Sequence, residues 1–356
     1  MISFDELCLR RMIGQFLVEN TDAHTAVRAL CGFQAQYLSN AMHAMRIRCH
    51  DANELQTPVR LCKNWTLRGT VHVFSEDDLG LFVNACGGRV YRSLDFRGYT
   101  FWNQRDQWSL TPERQRYFSE VILDALAGGA MTRDALRALC FEHGMDEGEE
   151  SSMFDQWGGG IRELCERGFM HYAVCEDKTF VLTPFYTPMD DASVEHELAR
   201  RYFTHYGPAS IHDCQYFFHT TAAKVKAWLT ELPVKSADCG KITYYWIDQD
   251  KSERTVPSCT AIPDCILLAG FDPLMLGYEK KESIFLPIEY LRGIFNLAGI
   301  VFPAVLVNGR VVGRWKYRNR KCTVTLFDDG SDIRKTVSDT AGRMWNDLRK
   351  LEFQVL

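Results

Sequence analysis

Three stretches of this chain repeat one plan: an amphipathic helix, a break with a helix-capping residue, one or two further helices, and then extended chain. The recurrence points to duplicated modules. In the first, Phe4 to Val18 has helical spacing, Asp22 caps a second helix that turns Val27, Leu30 and Phe33 inward, and Ser39 starts a third. Trp65 to Phe74 reads as a strand, which ends where Ser75, with Asp78 three residues on, resembles a capping box.

The second module starts at Thr111-Pro112, since proline suits a first helical turn, and lines up Ile122, Ala125 and Leu126 on one face. Thr132 caps its next helix, a further helix runs to about Arg167 with Gly168 behind it, and a hairpin turns around Glu176-Asp177-Lys178. The third opens with a helix from Glu195 to Tyr206, breaks at Gly207-Pro208, and restarts at Ser210 with Asp213 in capping-box position. Helix, turn, helix and a strand pair is the winged-helix order. Such modules read DNA or serve as scaffolding, and pattern alone does not choose.

From about Pro257 the texture changes to alternating apolar residues and turn signals, chief among them Asn308-Gly309 between AVLV and RVVGRWKY. Residues Asp332 to Leu351 have helical spacing, with Val337, Ala341, Met344 and Leu348 placed to cover a sheet. The expected fold is therefore α+β: tandem winged-helix (helix-turn-helix) modules over 1–110, 111–192 and 193–256, then a β-rich, barrel-like C-terminal domain with a terminal helix over 257–356.

The 356 residues carry a formal net charge of -5, which argues against indiscriminate nucleic-acid binding. Locally the balance reverses. Gly309 to Lys321 holds Arg310, Arg314, Lys316, Arg318, Arg320 and Lys321 with no acidic residue, suiting either a phosphate backbone or a solvated strand face. The 13 cysteines form no Cys-x-x-Cys pair, no apolar run is long enough to span a bilayer, and the start MISFDELCLRRM is unlike a signal peptide. A cytoplasmic protein with reduced thiols, no membrane association and no metal or other cofactor is expected. Zinc, EF-hand and phosphate-loop patterns are missing, and Gly158-Gly159-Gly160 reads as a bend.

Two segments stand out for chemistry. Gln34-Ala35-Gln36 sets two uncharged amides before a helix that also carries Arg46 and Arg48; in extended chain Gln34 and Gln36 point the same way, and a structural capping role is the plainer alternative. In LRGTVHVF, alternation puts Arg68, Thr70 and His72 on one side of a strand, either a polar site face or the solvent face of a wing.

Taken in order, Gln34-Ala35-Gln36, Arg68-Gly69-Thr70-Val71-His72, Gly270-Phe271-Asp272 with Leu276-Gly277-Tyr278, and the basic hairpin over 303–313 resemble the winged-helix DNA glycosylase family represented by AlkZ and YcaQ, across nearly the whole chain. The resemblance implies hydrolysis of the N-glycosidic bond of alkylated purines, with some members unhooking interstrand crosslinks, and makes Gln34 and Gln36 the catalytic pair. The residue after the pair, Tyr37, departs from the acidic or small residue more usual there, which bears on lesion range. Arg68, Thr70, His72 and Asp272 are expected to line the same site, Asp272 alternatively capping a turn; Arg310, Arg314, Lys316 and Arg318 are expected to hold the duplex. The partner implied is double-stranded DNA, bound as a monomer with little sequence preference. Two other classes fit tandem winged helices: a transcriptional regulator, marked by dimeric binding at half-sites, and a non-catalytic damaged-DNA-binding protein, marked by binding without base release.

Overall fold

Helices start where a side chain can accept hydrogen bonds from the free N–H groups of the first turn, and the computed structural model repeatedly shows such residues in place. It describes residues 1–50, 60–66, 69–83, 91–97, 108–156, 158–248 and 262–356. Ser3 caps α1 (Phe4–Gly14), Asp22 caps α2 (Ala23–Ala29) by accepting from Thr25 N at 2.8 Å, and β1 (Phe33–Gln34) precedes α3 (Leu38–Arg46). The strands β2 (Leu61–Trp65) and β3 (Val71–Ser75) lead to α4 (Leu79–Phe82). Thr111 and Pro112 open α5 (Pro112–Ala127), β4 (Met131–Thr132) runs into α6 (Arg133–Glu142) capped by Thr132, and an Asp146–Glu149 capping box starts α7 (Glu147–Met153). Then come α8 (Gly159–Glu166), β5 (Met170–Tyr172) and β6 (Thr179–Leu182). After α9 (Asp191–His205), the Ser210–Asp213 capping box opens α10 (Ile211–Phe218), and α11 (Ala222–Glu231), β7 (Lys235–Cys239) and β8 (Ile242–Trp246) follow. The remainder is β9 (Cys265–Leu267), α12 (Pro273–Leu276), α13 (Leu291–Ile294), β10 (Ala304–Val307), β11 (Arg310–Arg318), β12 (Lys321–Leu326), α14 (Arg334–Met344) and β13 (Lys350–Val355). The fold is thus mixed α+β.

The described residues group into two units: 1–34, 39–50 and 196–356 in the first, 35–38 and those between 60 and 195 in the second. In the second unit the strands lie in the order β3-β2-β5-β6-β4. Its core joins Phe118, Ile122 and Leu126 of α5, Leu136 and Cys140 of α6, Ile161 and Leu164 of α8, and the inward strand residues Met170 and Phe180. These positions recur at helical and strand periods, so one apolar side of each element is buried.

The first unit contains α9, α10 and α11 followed by the β7–β8 hairpin, with Tyr202, Tyr206 and Phe217 packed ring against ring. Its larger sheet runs β13-β12-β11-β10-β9. Asn308 (φ 47°) and Gly309 (φ 75°) form the two-residue turn between β10 and β11, where positive φ at both positions matches the strand twist. β13 lies parallel to β12, and α14 makes the crossover between them, laying Val337 and Ala341 on Leu267, Val305, Cys322 and Val324. β10 is buried along its whole length, whereas Lys316 and Arg318 towards the end of β11 are exposed.

Three expectations need correction. The segment 65–74 is not one strand: β2 ends at Trp65, Gly69 takes φ 75°, and Gly69 N donates to Thr66 O at 2.9 Å, so the chain reverses into β3. The terminal helix stops at Met344, and KLEFQV alternates into β13 instead of continuing to Leu351. The C-terminal sheet is open, edged by β9 and β13, and forms no closed barrel among the described residues. No described helix is long and apolar enough to cross a membrane.

Candidate functional site

The Gln-Ala-Gln segment leaves α2 through Cys31 (φ 58°) and Gly32 (φ 79°), a left-handed turn that ends the helix and starts extended chain. Exposure then alternates: Phe33 and Ala35 are each 1 % exposed, Gln34 is half-buried and Gln36 is exposed. Ala35 N donates to Val71 O at 2.8 Å, fixing the Gln36 segment alongside β3. Neither carboxamide has a hydrogen-bond partner among the described residues. Each keeps a carbonyl acceptor and two N–H donors for a ligand or water, whereas a capping role would consume one of them.

Gln34 lines a cavity of about 190 Å³. Phe271, Leu276, Phe295 and Tyr216 give it apolar walls, while Gln34, Lys280 and Asn296 supply the polar side chains. Lys280 is its one lining cation; Lys280 Nζ lies 5.9 Å from the Tyr216 ring centroid and 6.0 Å from that of Phe295. Among the described residues no carboxylate pairs with Lys280, so its charge is open to an anion. Asn296 Oδ1 accepts from Ile300 N at 2.7 Å, which leaves its amide nitrogen as a further donor. Sequence reading missed Lys280 and Asn296; the only local signals were the position of Lys280 just past Leu276-Gly277-Tyr278 and the Asn-x-x-Gly turn spacing of 296–299.

Of the motif residues 270–278, Phe271 and Leu276 line the cavity, whereas Asp272 and Tyr278 are buried behind it. Asp272 is fully buried, accepts from Leu274 N at 2.9 Å as the cap of α12, and takes both Arg48 Nη2 at 2.7 Å and Arg48 Nη1 at 3.0 Å. Arg48, also fully buried, spends its other N–H groups on Ala44 O and Gln15 O. This fork ties the segment after α3 to the start of α12, whose Leu276 lines the cavity. Tyr278 is anchored in the same way: its hydroxyl donates to Tyr206 O at 2.9 Å and accepts from Gln15 Nε2 at 3.0 Å, and Arg11, paired with Asp213 at 2.7 Å, lies 3.8 Å over its ring. A Cβ on Gly277 would come within 2.4 Å of the Tyr206 ring, so the motif needs glycine there.

In the second segment singled out, Arg68 lies outside the described residues. Thr70 is half-buried, and its carbonyl accepts from Thr66 N at 3.2 Å. His72 is wholly buried, its Nδ1 3.0 Å from Thr70 O and 3.1 Å from Thr66 Oγ1, so these contacts brace the β2–β3 turn. The solvent-face alternative does not hold, because β3 is buried from His72 to Ser75.

In the basic strand, Arg314, Lys316 and Arg318 alternate on one face of β11, opposite Thr325, Thr323 and Lys321 of β12. Trp315 and Tyr317 turn to the covered face, where Trp315 Nε1 donates to Leu268 O at 2.8 Å and the ring packs on His43 and Trp345. Arg320 and Lys321 are engaged by Asp347 and Glu352. Arg310, Lys316 and Arg318 are exposed and have no ion-pair partner among the described residues; Arg314 stacks on Phe302 at 4.9 Å. The four cations expected to meet DNA are therefore those left without a carboxylate.

The relative named "Interstrand DNA cross-link repair glycosylase", from Streptomyces sahachiroi, is 26 % identical over 348 residues, covering 90 % of this chain and 89 % of that protein. The solved structure of Streptomyces sahachiroi DNA glycosylase AlkZ shares the fold with a TM-score of 0.77 at 22 % identity, all of both chains being covered. A family profile described as DNA glycosylase AlkZ-like matches residues 27–344, which takes in every motif quoted above from Gln34 to the basic strand, so this chain belongs to the DNA glycosylase AlkZ-like family.

Proposed function

We propose that this protein hydrolyses the N-glycosidic bond of cationic N7- or N3-alkylated purines in duplex DNA and acts on interstrand crosslinks, the substrate named for its Streptomyces relative. The observation that carries the reading is a half-buried glutamine with an uncommitted amide, walling a cavity whose one cation has no carboxylate partner among the described residues.

The chemistry follows from what an amide can and cannot do. Glutamine takes up no proton near neutral pH, so it is neither general acid nor general base. Its carbonyl oxygen does orient a water, and its dipole faces the positive charge that builds on the sugar in an oxocarbenium-like transition state. Gln36 positions the water and Gln34 supports the sugar or the water's second hydrogen bond. Water oxygen bonds to C1′, the C1′–N bond breaks with its electron pair going to the base, and the water's proton passes to solvent. An alkylated purine already carries a positive charge, so it departs neutral and needs no acid. Water as the nucleophile makes the enzyme monofunctional.

We read 111–192 and 193–256 as winged-helix modules, α5 to α8 leading into β5 and β6 in the one and α9 to α11 leading into the β7–β8 hairpin in the other. The duplex lies on the open face of β11, held by Arg310, Arg314, Lys316 and Arg318 through phosphates, hence with little sequence preference and as a monomer. Asp272 supports this site from within the fold. A cytoplasmic location goes with a DNA substrate.

Two measurements test this reading. Incubation with a 7-methylguanine duplex followed by alkali is expected to break the strand at the lesion; a strand that stays intact contradicts the proposal. Lys316→Ala is expected to weaken binding to damaged and undamaged duplex alike and to reduce the slope of log affinity against log salt by about 1. An unchanged slope removes this face from the interface.

A further inference from the structure

The cavity that holds Gln34 is closed on one side by a tight turn. Phe295 and Val301 pair as an antiparallel bridge at its base, Asn296 N donates to Ile300 O at 3.0 Å, and Ile300 N donates back to Asn296 Oδ1 at 2.7 Å. Phe302 N to Ile294 O at 2.9 Å and Phe271 N to Val301 O at 3.2 Å tie the turn to the cavity wall. Phe295 and Val301 are each 5 % exposed, so the base is set in the core. At the tip stand Leu297, Ala298 and Gly299, all exposed and all uncharged, with Leu297 at 86 %. Asn296, Gly299, Ile300 and Val301 are themselves lining residues of the cavity.

A single exposed leucine is ordinary on a protein surface. This one differs in its mounting: it caps a turn doubly bonded across its neck, beside a cavity lined by a free ammonium and the open amide of Gln34. Proteins that unstack a base step insert an apolar side chain of this kind between bases, the lost stacking being offset by contacts elsewhere. We propose that Leu297 is a wedge that enters the duplex beside the damaged nucleotide and fills the base step that the nucleotide vacates in reaching the Gln34 cavity. This rests on the reading above that the cavity receives a damaged nucleotide. Lys280 then meets the flanking phosphate, and the turn sets the distance between wedge and catalytic amide.

The test uses the full chain and a 7-methylguanine duplex with 2-aminopurine beside the lesion. Wild-type protein is expected to raise 2-aminopurine fluorescence on binding; L297A is expected not to, and to release base at least about tenfold more slowly in single turnover. Its thermal midpoint should match wild type, since the side chain touches little. A duplex whose lesion faces an abasic gap, already unstacked, should restore the L297A rate, and L297M should restore part of it on the ordinary duplex. If L297A raises the fluorescence and releases base as wild type does, the wedge is wrong while the glycosylase assignment stands. If wild type releases no base, the proposed function fails and takes the wedge with it. Unchanged DNA readouts together with L297A-sensitive binding to anionic phospholipid vesicles would give the tip to a bilayer instead.

Discussion

Changing Gln34 and Gln36 together to alanine is expected to lower single-turnover release of 7-methylguanine by roughly 10²- to 10³-fold, the range seen when one preorganised polar group is taken from a developing charge. The pair acts on a bond that is already weakened, so its whole contribution is orientation and dipole, and alanine provides neither. Folding should be untouched. Gln34 is half-buried, Gln36 is exposed, and neither carboxamide bonds to another described residue, so removing them orphans no buried partner. Glutamate at either position would not be a conservative change, because a carboxylate adds charge and basicity to a site built from neutral dipoles.

The second large effect is on stability. Asp272→Ala is expected to destabilise the protein by about 3–5 kcal/mol, the range for breaking one side of a buried ion pair and leaving the other charge stranded. Arg48 is fully buried with its guanidinium committed to Asp272, Ala44 O and Gln15 O, so no route to solvent opens when the carboxylate goes. The α12 cap is lost as well. Asp272→Asn keeps the cap acceptor and one bond to Arg48, and should lose much less. Urea unfolding of the full chain measures both; a loss under about 1 kcal/mol for the alanine variant would show that Arg48 finds other partners. Because α12 carries Leu276 on the cavity wall, residual activity of the folded fraction should fall too.

These two residue sets also mark what the chain made legible in one dimension. Local rules carried far: Asp22, Thr111, Thr132 and Ser210 sit at helix starts because their side-chain oxygens accept from the free N–H groups of the first turn, and Asn308-Gly309 turns because both positions take positive φ. The family resemblance, drawn from four motifs in order, holds. The role of Asp272 was half visible: a turn or cap could be read from Gly-Phe-Asp-Pro, but its partner Arg48 lies 224 residues away, and no local pattern encodes such a pairing. The β2–β3 hairpin was hidden because Arg-Gly-Thr continues the alternation of its flanks, and only the φ of Gly69 reveals the reversal. The end of α14 was missed because Leu348 and Leu351 continue the helical spacing, although Leu351 and Phe353 also alternate as a strand, and pairing with β12 decided for the strand. Lys280, Asn296 and Leu297 escaped notice for a further reason: each is unremarkable in sequence and gains meaning from the cavity on which 216, 271–276 and 295–301 converge.

Everything proposed about chemistry depends on the two carboxamides acting on a base that leaves by itself once water is in place. The measurement that reaches this most directly is chromatographic release of free 7-methylguanine under single turnover by wild type and by the Gln34/Gln36 double alanine variant, at matched thermal midpoint and duplex affinity. A rate at least about a hundredfold lower in the variant is the expected result. A variant that releases base within a few-fold of wild type, while still binding the lesion duplex, would place the catalytic groups elsewhere.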